Sequence, residues 1–414
     1  MAYGNLTSLL APTTSTQEPR QDNALPPRQL GITWKNLTVQ VASANAAVHE
    51  NVLSQLNPIN ILHRLRRRLA KRTILDNSHG CVKPGEMLLV LGRPRSGCST
   101  LLNVLANQRH GHASVSGDVH YGSMDATEAK RYRGQIVLSS EDEVFFPSLT
   151  VGQTMDFAAR LKSPNQHAST KSFQENASHS LLRSLGIDHT TTTMIGNEYI
   201  RGVSGGERRR VSIAEYLTTR GSIYCWDNST RGLDASTALE YVKTVRDLTD
   251  RSGLSSIMTL YQAGSDIYHL FDKVLVLEQG HQIFYGPYKA ARPFIEGLGF
   301  QCREGTNVAD FLTGITIETE RIIRPGFELG FPRSAEAIRD KYEESKIYSE
   351  TAAEYEYPST AEAREWTRQF QATIQGEKNT YLPEKSPLTV GFICQVHACT
   401  IRQYQVIFGD RVTF

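Results

Sequence analysis

The sequence has few features that point away from an ordinary globular protein. It has six cysteines in 414 residues, and none of them forms a CxxC pair. A zinc site and a disulfide framework are therefore not indicated, and a reducing, cytosolic setting is expected. No apolar run approaches the roughly 20 residues of a membrane helix, and no signal peptide is evident.

Neither sign of charge dominates the chain. Lysine and arginine number 45 against 43 aspartate and glutamate residues, so the sequence has no global basic field of the kind that attracts nucleic acid. A local basic run, HRLRRRLAKR, lies at residues 63–72. Such a run either forms the solvated face of a helix or contacts anionic lipid head groups or an acidic partner surface.

The length allows one large domain or two smaller ones, and the hydrophobic content of 39% is ordinary. Residues 1–29 are rich in Thr, Ser, Pro and Gln and are predicted to form a disordered lead-in. From residue 30, the alternation and β-branched content of LGITWKNLTV predict a strand. Polar residues 163–179 predict a loop, residues 316–386 a charged connector with helical stretches, and residues 387–414 a mixed amphipathic segment.

The most informative stretch is GRPRSGCST at residues 92–100. It follows a short apolar strand at residues 86–91 and precedes the apolar side of a helix at residues 101–106. Strand, glycine loop and helix in this order are the context of a P-loop. The backbone N–H groups of such a loop surround phosphate oxygens at the positive end of the helix dipole.

One position of this loop departs from the template G-x-x-x-x-G-K-[ST]. Gly92, Gly97 and Ser99 fit it, whereas Cys98 occupies the position of the lysine. That lysine normally reaches the β and γ phosphates as a point charge, which a thiol cannot do. The loop is therefore predicted to bind a nucleotide but to be badly equipped to hydrolyse it.

Two later stretches could complete a nucleotide site. A buried strand at residues 222–226 ends in Asp227, and a carboxylate at the C-terminal end of a strand in a parallel sheet is well placed to hold Mg²⁺ through water. Residues 203–207, VSGGE, stand at the start of an amphipathic helix. This helix start either offers backbone N–H groups and the Ser204 hydroxyl to an anion or is a capped, flexible turn.

Together these pieces resemble the nucleotide-binding domains of ABC transporters, over about residue 30 to the end. The positions at which the chain departs from the general ABC pattern indicate a narrower family. The sequence resembles the first nucleotide-binding domain of fungal full-size transporters of the pleiotropic drug resistance type, the G subfamily. The resemblance rests on Cys98 in the P-loop, Trp226 and Asn228 around the Mg²⁺ aspartate, and Tyr261 at the switch-histidine position. The blocks FFPSLTVGQT, ADFLT and TERIIRPGFE are similar to that family as well. Arg95 departs from it, since a small residue is usual there.

The resemblance implies an α/β fold: a P-loop NTPase of the ABC ATPase type with a mostly parallel core sheet, an antiparallel β edge and an inserted helical subdomain at about residues 142–217. The nucleotide-binding domain would span residues 30–315, and residues 387–414 would be the lead-in to an absent transmembrane domain. ATP and Mg²⁺ are the implied cofactors, with Ser99 and Asp227 at the metal. The implied nucleotide contacts are Gly92, Arg93, Pro94, Arg95, Ser96, Gly97, Cys98, Ser99, Thr100 and, at the Q-loop position, Glu141. The implied signature motif is Val203, Ser204, Gly205, Gly206 and Glu207.

By the same resemblance, two such domains pair head to tail, and each ATP lies between the P-loop of one and the signature motif of the other. With Cys98, Asn228 and Tyr261 at three catalytic positions, this chain has no complete catalytic set of its own. It would donate an intact signature to the site of a second nucleotide-binding domain in a multidrug or secondary-metabolite exporter. The partners would be that domain and transmembrane domains, at the cytosolic face of a membrane, with the plasma membrane expected.

Other interpretations belong to different classes. A stand-alone ATPase of the kinase or GTPase kind is disfavoured by the missing lysine, glutamate and histidine. A soluble ABC-type interaction module and a non-functional remnant stay open. Because a membrane helix would be expected soon after residue 414, the sequence is expected to be a truncated product, a partial gene model or an isolated domain.

Overall fold

The computed structural model of the chain describes residues 28–42, 71–109, 111–162, 171–260, 263–315, 317–327, 330–378, 382–383 and 385–409. Nearly all of the predicted lead-in, most of the basic run at residues 63–72, and Tyr261 lie outside the described residues.

The strands of the described residues form one sheet. They are β1 (Ile32–Ala42), β2 (Lys71–Val82), β3 (Met87–Leu91), β4 (Ser114–Tyr121), β5 (Met124–Asp125), β6 (Ile136–Ser139), β7 (Ile223–Trp226), β8 (Ser255–Thr259), β9 (Lys273–Glu278) and β10 (His281–Pro287). Their order across the sheet is β5-β4-β1-β2-β10-β9-β3-β8-β7-β6.

The sheet has a parallel half and an antiparallel half. β3 pairs in parallel with β8 and β9, and β7 pairs in parallel with β6 and β8. β1 pairs antiparallel with β2 and β4, and β9 pairs antiparallel with β10. The predicted parallel core with an antiparallel β edge is confirmed.

The central strand β3 explains where the P-loop lies. All five of its residues, Met87–Leu91, are buried, because a strand with parallel neighbours is covered on both faces and needs a continuous apolar run. Leu89 is paired with Met258 of β8 on one side and Val274 of β9 on the other. The loop that follows β3 therefore emerges at the middle of the parallel half, at the C-terminal ends of the strands, where α/β folds bind ligands.

The helices are α1 (Cys98–Leu105), α2 (Val151–Lys162), α3 (Lys171–Ser184), α4 (Gly205–Thr218), α5 (Ala235–Ser252), α6 (Ser265–Tyr268), α7 (Tyr288–Gly297), α8 (Val308–Gly314), α9 (Ala335–Glu343), α10 (Lys346–Ala352), α11 (Ala361–Glu377) and α12 (Phe392–Gly409). Short 3₁₀ segments lie at Glu128–Gln135, Asp188–Thr190, Glu318–Glu320 and Ala353–Ser359.

Helices α2, α3 and α4 contact one another between strands β6 and β7, where the helical subdomain was predicted. The loop predicted for residues 163–179 is wrong from Lys171 onward, because α3 begins there. Residues 171–184 contain no glycine or proline, and they include Leu181 and Leu182, which are buried. A polar segment without helix breakers can thus extend a helix that is anchored by its last turn.

The segment after residue 334 packs on the antiparallel half of the sheet. Along α9, Ala335, Ile338 and Tyr342 are buried at helical spacing, and the Tyr342 hydroxyl donates to the backbone oxygen of Tyr285 at 2.7 Å. In α11, Phe370 is fully buried. The helices of the predicted charged connector thus have an apolar inner face as well as their charged residues. The predicted domain boundaries stay a prediction.

Candidate nucleotide-binding site

Residues 92–97 form the loop between β3 and α1, and two glycines determine its path. A Cβ at Gly92 would lie 2.7 Å from the backbone oxygen of Leu277. A Cβ at Gly97, whose φ is +102°, would lie 2.8 Å from Cδ2 of Leu75. Both distances are shorter than real Cβ contacts, so this curvature requires glycine at both positions.

A cavity of about 860 Å³ opens over this loop. The predicted nucleotide contacts that line it are Gly92, Arg93, Pro94, Arg95, Gly97, Cys98, Ser99, Thr100 and Glu141. Ser96 does not line it. Its backbone N–H donates to the oxygen of Arg93 at 3.0 Å and its own oxygen accepts from the N–H of Gly280 at 3.1 Å, so Ser96 supports the loop from behind.

Cys98 is the first residue of α1 and lines the cavity. A helix N-terminus ordinarily lowers the pKa of a thiol. Here burial of the thiol, with a smaller contribution from the negative charge of Asp227, raises the pKa of Cys98 to about 12. The side chain is therefore a neutral thiol near pH 7, and it neither repels phosphate as a thiolate nor attracts it as the missing lysine would.

The predicted metal ligands both line the cavity. Asp227 follows β7 and is buried, and its Oδ1 accepts a hydrogen bond of 2.8 Å from the Oγ1 of Thr259, at the end of β8. Ser99 is exposed on the first turn of α1. Mg²⁺ in nucleotide sites is held by one or two protein oxygens together with phosphate oxygens and water, and this pair fits that requirement.

Asn228, the residue after the predicted metal ligand Asp227, is held by two contacts. The Asn228 backbone N–H donates to Oγ1 of Thr259 at 2.9 Å, and its side-chain amide donates to Oε2 of Glu141 at 3.2 Å. Its φ is +46°, in the left-handed region that asparagine tolerates better than most side chains. Glu141 also pairs with Arg231. The hydrogen bond from Asn228, and then the contact with Arg231, keep the pKa of Glu141 below its usual range.

The cavity is rich in positive charge. Arg72, Arg93, Arg95 and Arg231 line it, against the two carboxylates of Glu141 and Asp227. Cationic side chains, a glycine loop that directs backbone toward the space, and one buried carboxylate fit a Mg²⁺–nucleoside triphosphate.

The predicted signature motif, residues 203–207, lies at the start of α4 and does not line this cavity. Ser204 is the N-cap: its hydroxyl accepts from the N–H of Glu207 at 3.3 Å, and the Glu207 carboxylate accepts from the N–H of Ser204 at 2.8 Å. This capping box leaves the N–H groups of Gly205 and Gly206 at the tip of the helix. A Cβ at either glycine would meet no atom within 4 Å.

The sequence did not single out some lining residues. Arg72, at the end of the basic run, lies in β2 and not on a helix, while Thr259 and Arg231 reach the cavity from β8 and from the loop after β7. The lining residues that the structure describes include no aromatic side chain that could stack on an adenine ring.

The sheet order and the glycine loop after β3 are those of a P-loop NTPase domain. Residues 75–231 match the family model described as ABC transporter. Over these residues the chain therefore has the P-loop NTPase domain of the ABC transporter type.

The chain is also similar to curated proteins that are named ABC transporters. The chain is 59% identical over 391 residues to ABC multidrug transporter H of Aspergillus fumigatus, and the aligned region covers 94% of this chain and 28% of that protein. It is 55% identical over 392 residues to the ABC-type transporter cns4 of Cordyceps militaris, covering 94% of this chain and 29% of the relative. The chain is 38% identical over 398 residues to ABC transporter G family member 17 of Dictyostelium discoideum, and the aligned region covers 94% of this chain and 27% of the relative. The chain thus spans less than a third of the length of these relatives. Among the described helices, none has the length and hydropathy needed to cross a bilayer.

Proposed function

We propose that this chain is the degenerate ATP-binding domain of an ABC exporter of the multidrug or secondary-metabolite type. It binds Mg²⁺–ATP at its own P-loop and hydrolyses it negligibly. It also donates its signature motif to the nucleotide held by a second nucleotide-binding domain. The names of the relatives support the exporter class. The residues of the P-loop cavity and of the N-terminus of α4 support the two separate roles.

The composition of the P-loop cavity supports slow turnover. Phosphoryl transfer to water needs a base that orients or deprotonates the attacking water, and the Asn228 amide cannot accept a proton as a carboxylate does. The neutral thiol of Cys98 adds no charge to the cradle. Bound ATP would supply the reactive γ-phosphate, while the chain's own residues would hold the phosphates and the Mg²⁺ without activating water.

The observation that carries the proposal is the open tip of α4. Gly205 and Gly206 have free space where a Cβ would stand, so the packing of the described residues gives no reason for glycine at either position. A helix N-terminus kept free of side chains can approach a phosphate from outside, with its N–H groups and the Ser204 hydroxyl directed at the anion. A nucleotide on a second domain meets this requirement.

Helix α12 supports a membrane-domain partner at the cytosolic face. Its exposed apolar side chains include Phe392, Ile393 and Phe408, with 76%, 81% and 74% of their surface accessible. Several large apolar side chains exposed on one helix are typical of an interaction surface. The same helix contacts α2 of the helical subdomain, so a membrane domain bound there would lie against the subdomain that carries the signature motif.

The experiment is a chimera in which this chain replaces the matching region of ABC multidrug transporter H, assayed for ATPase activity and dye efflux in cells. Gly205→Asp puts a carboxylate where a partner's phosphate must lie, and we expect at least about a hundredfold loss of turnover. Cys98→Ala, the matched control in the P-loop cavity, should keep ATPase activity and efflux within about twofold of the parent chimera. Surface levels are measured so that misfolding is not counted as lost function.

Two results would contradict the proposal. One is parental efflux by the Gly205→Asp chimera; the other is loss of efflux in Cys98→Ala with Gly205→Asp unharmed. The purified chain alone gives a third check, because turnover on the order of 1 per second or faster would show a competent site where the proposal has a silent one.

A further inference from the structure

Arg95 occupies a strained position in the P-loop. Its φ is +73°, in the left-handed region that a side chain with a Cβ disfavours. Such conformations persist where the surrounding structure imposes them, and they are frequent at ligand sites. Glycine would remove the strain, so the arginine at this position needs a reason beyond folding.

The side chain of Arg95 is exposed and lines the nucleotide cavity. Within the described part of the chain it makes no ion pair and no side-chain hydrogen bond. The guanidinium is therefore not held in place by a carboxylate that a ligand would have to displace.

The other arginines that line the cavity differ from Arg95 either in the carboxylate they interact with or in the wall of the cavity on which they lie. Arg231 pairs with Glu141, and the positive charge of Arg93 acts on the buried carboxylate of Glu278. Arg72 lines the cavity from β2, on a different wall. Among the described residues neither Arg93 nor Arg95 forms an ion pair, and Arg95, unlike Arg93, is not one of the charges that act on Glu278. Arg95 stands three positions before Cys98, where the loop lacks its usual charge.

We propose that Arg95 supplies to the β and γ phosphates the positive charge that is missing at Cys98. This inference rests on the proposed nucleotide binding and deepens it. A guanidinium binds phosphate through two parallel N–H donors and stays charged at all relevant pH values. The strain of the loop at Arg95 is then the cost of placing an arginine where the backbone turns toward the phosphates.

The test measures affinity of the purified chain for ATP and AMP, by calorimetry at fixed salt and Mg²⁺, without reference to turnover. For Arg95→Gly we expect ATP affinity to fall about tenfold or more and AMP affinity to change less than about twofold, because AMP has no β or γ phosphate. Arg95→Lys, which keeps the charge but loses the paired N–H donors, should recover only part of the ATP affinity. The salt dependence of ATP binding should become shallower in Arg95→Gly, since one charge contact is lost.

A matched control separates charge from backbone strain. Gln279 is also a non-glycine residue with positive φ, +50°, and is exposed in the turn between β9 and β10, outside the cavity lining. Arg95→Gly and Gln279→Gly both relieve a strained backbone, so both should raise the melting temperature. Only Arg95→Gly should lose ATP affinity, and a loss of affinity together with a gain in stability cannot come from misfolding.

The outcomes distinguish this inference from the proposed function. If the parent chain binds neither nucleotide, the proposed nucleotide site itself is overturned. If the parent binds ATP and Arg95→Gly binds it equally well, or loses ATP and AMP to the same extent, the assignment of Arg95 to the terminal phosphates is overturned and the nucleotide site stands.

Discussion

Asn228→Glu would place a carboxylate directly after Asp227, the proposed Mg²⁺ ligand, and the structure predicts that the variant is less stable than the parent chain. The Asn228 amide donates to Oε2 of Glu141 at 3.2 Å, and the residue has a φ of +46°. Glutamate at this position loses the donor, places a second negative charge beside Glu141, and tolerates the left-handed backbone less well than asparagine.

The magnitude follows from three contributions. Left-handed backbone costs about 1 kcal/mol more for glutamate than for asparagine. A hydrogen bond to a charged group is worth about 1.5–3 kcal/mol. We take the lower value because 32% of the Glu141 side-chain surface is accessible. Repulsion between two partly solvated carboxylates about 4 Å apart adds about 1 kcal/mol after screening. The variant should lose about 2–4 kcal/mol of unfolding free energy.

The assay is urea denaturation in a double-mutant cycle with Glu141→Gln. A glutamine amide at position 141 can donate to the new carboxylate and carries no charge, so Asn228→Glu should cost at least about 1 kcal/mol less in that background. A cost below about 0.5 kcal/mol in the parent chain, or the same cost in both backgrounds, would refute the reasoning. If the reasoning holds, Cys98→Lys combined with Asn228→Glu should not restore high turnover in the chimera, since the added carboxylate is not held in a productive geometry.

Three further predictions concern pH, thiol chemistry and the exposed helix. Burial, with the charge of Lys35 as a second cause, lowers the pKa of His79, whose ring stacks on that of Tyr355 with 5.7 Å between the ring centroids, so the unfolded chain binds the proton more readily than the folded one. The free energy of unfolding should therefore fall as the pH drops below about 6.5. In His79→Gln the urea midpoint should change less between pH 7.5 and 5.5, and an equal change in both proteins would contradict this. Because the pKa of Cys98 is raised to about 12, its alkylation rate should rise about tenfold per pH unit from pH 7 to 10, and a plateau near pH 8.5 would show an ordinary thiol. Replacing the exposed Phe392 and Ile393 by serine should reduce assembly and efflux of the chimera while leaving ATP affinity of the isolated chain unchanged, and unaltered efflux would exclude this face as the membrane-domain contact.

Local patterns were sufficient for the parallel core. The run at residues 87–91 could only be a covered strand, and the glycines after it could only be a loop before a helix, so the P-loop was placed from sequence alone. Asp227 was assigned to a strand end by the same logic. These features depend on residues adjacent in the chain.

Long-range features were not predictable in the same way. Arg72 reaches the cavity because β2 pairs with β1 and lies near the P-loop in space, which no local pattern reports. The buried inner face of α9 and α11 was obscured by their charge, since helices with one apolar stripe still have mostly polar composition. The start of α3 was missed because its first turns have no apolar periodicity.

The ion pair between Arg28 and Glu377 joins residues that are 349 positions apart, and both side chains are largely buried. A ribosome adding about 5–20 residues per second makes Glu377 roughly 17–70 s after Arg28. During that time Arg28 has no counter-ion from α11, and Phe370, which packs with Tyr132 at 5.2 Å, has not yet covered its neighbour. The surface formed by Arg28 and Tyr132 therefore reaches its final packing only after α11 is synthesised. Until then, the nascent domain presents apolar surface to chaperones and to neighbouring chains.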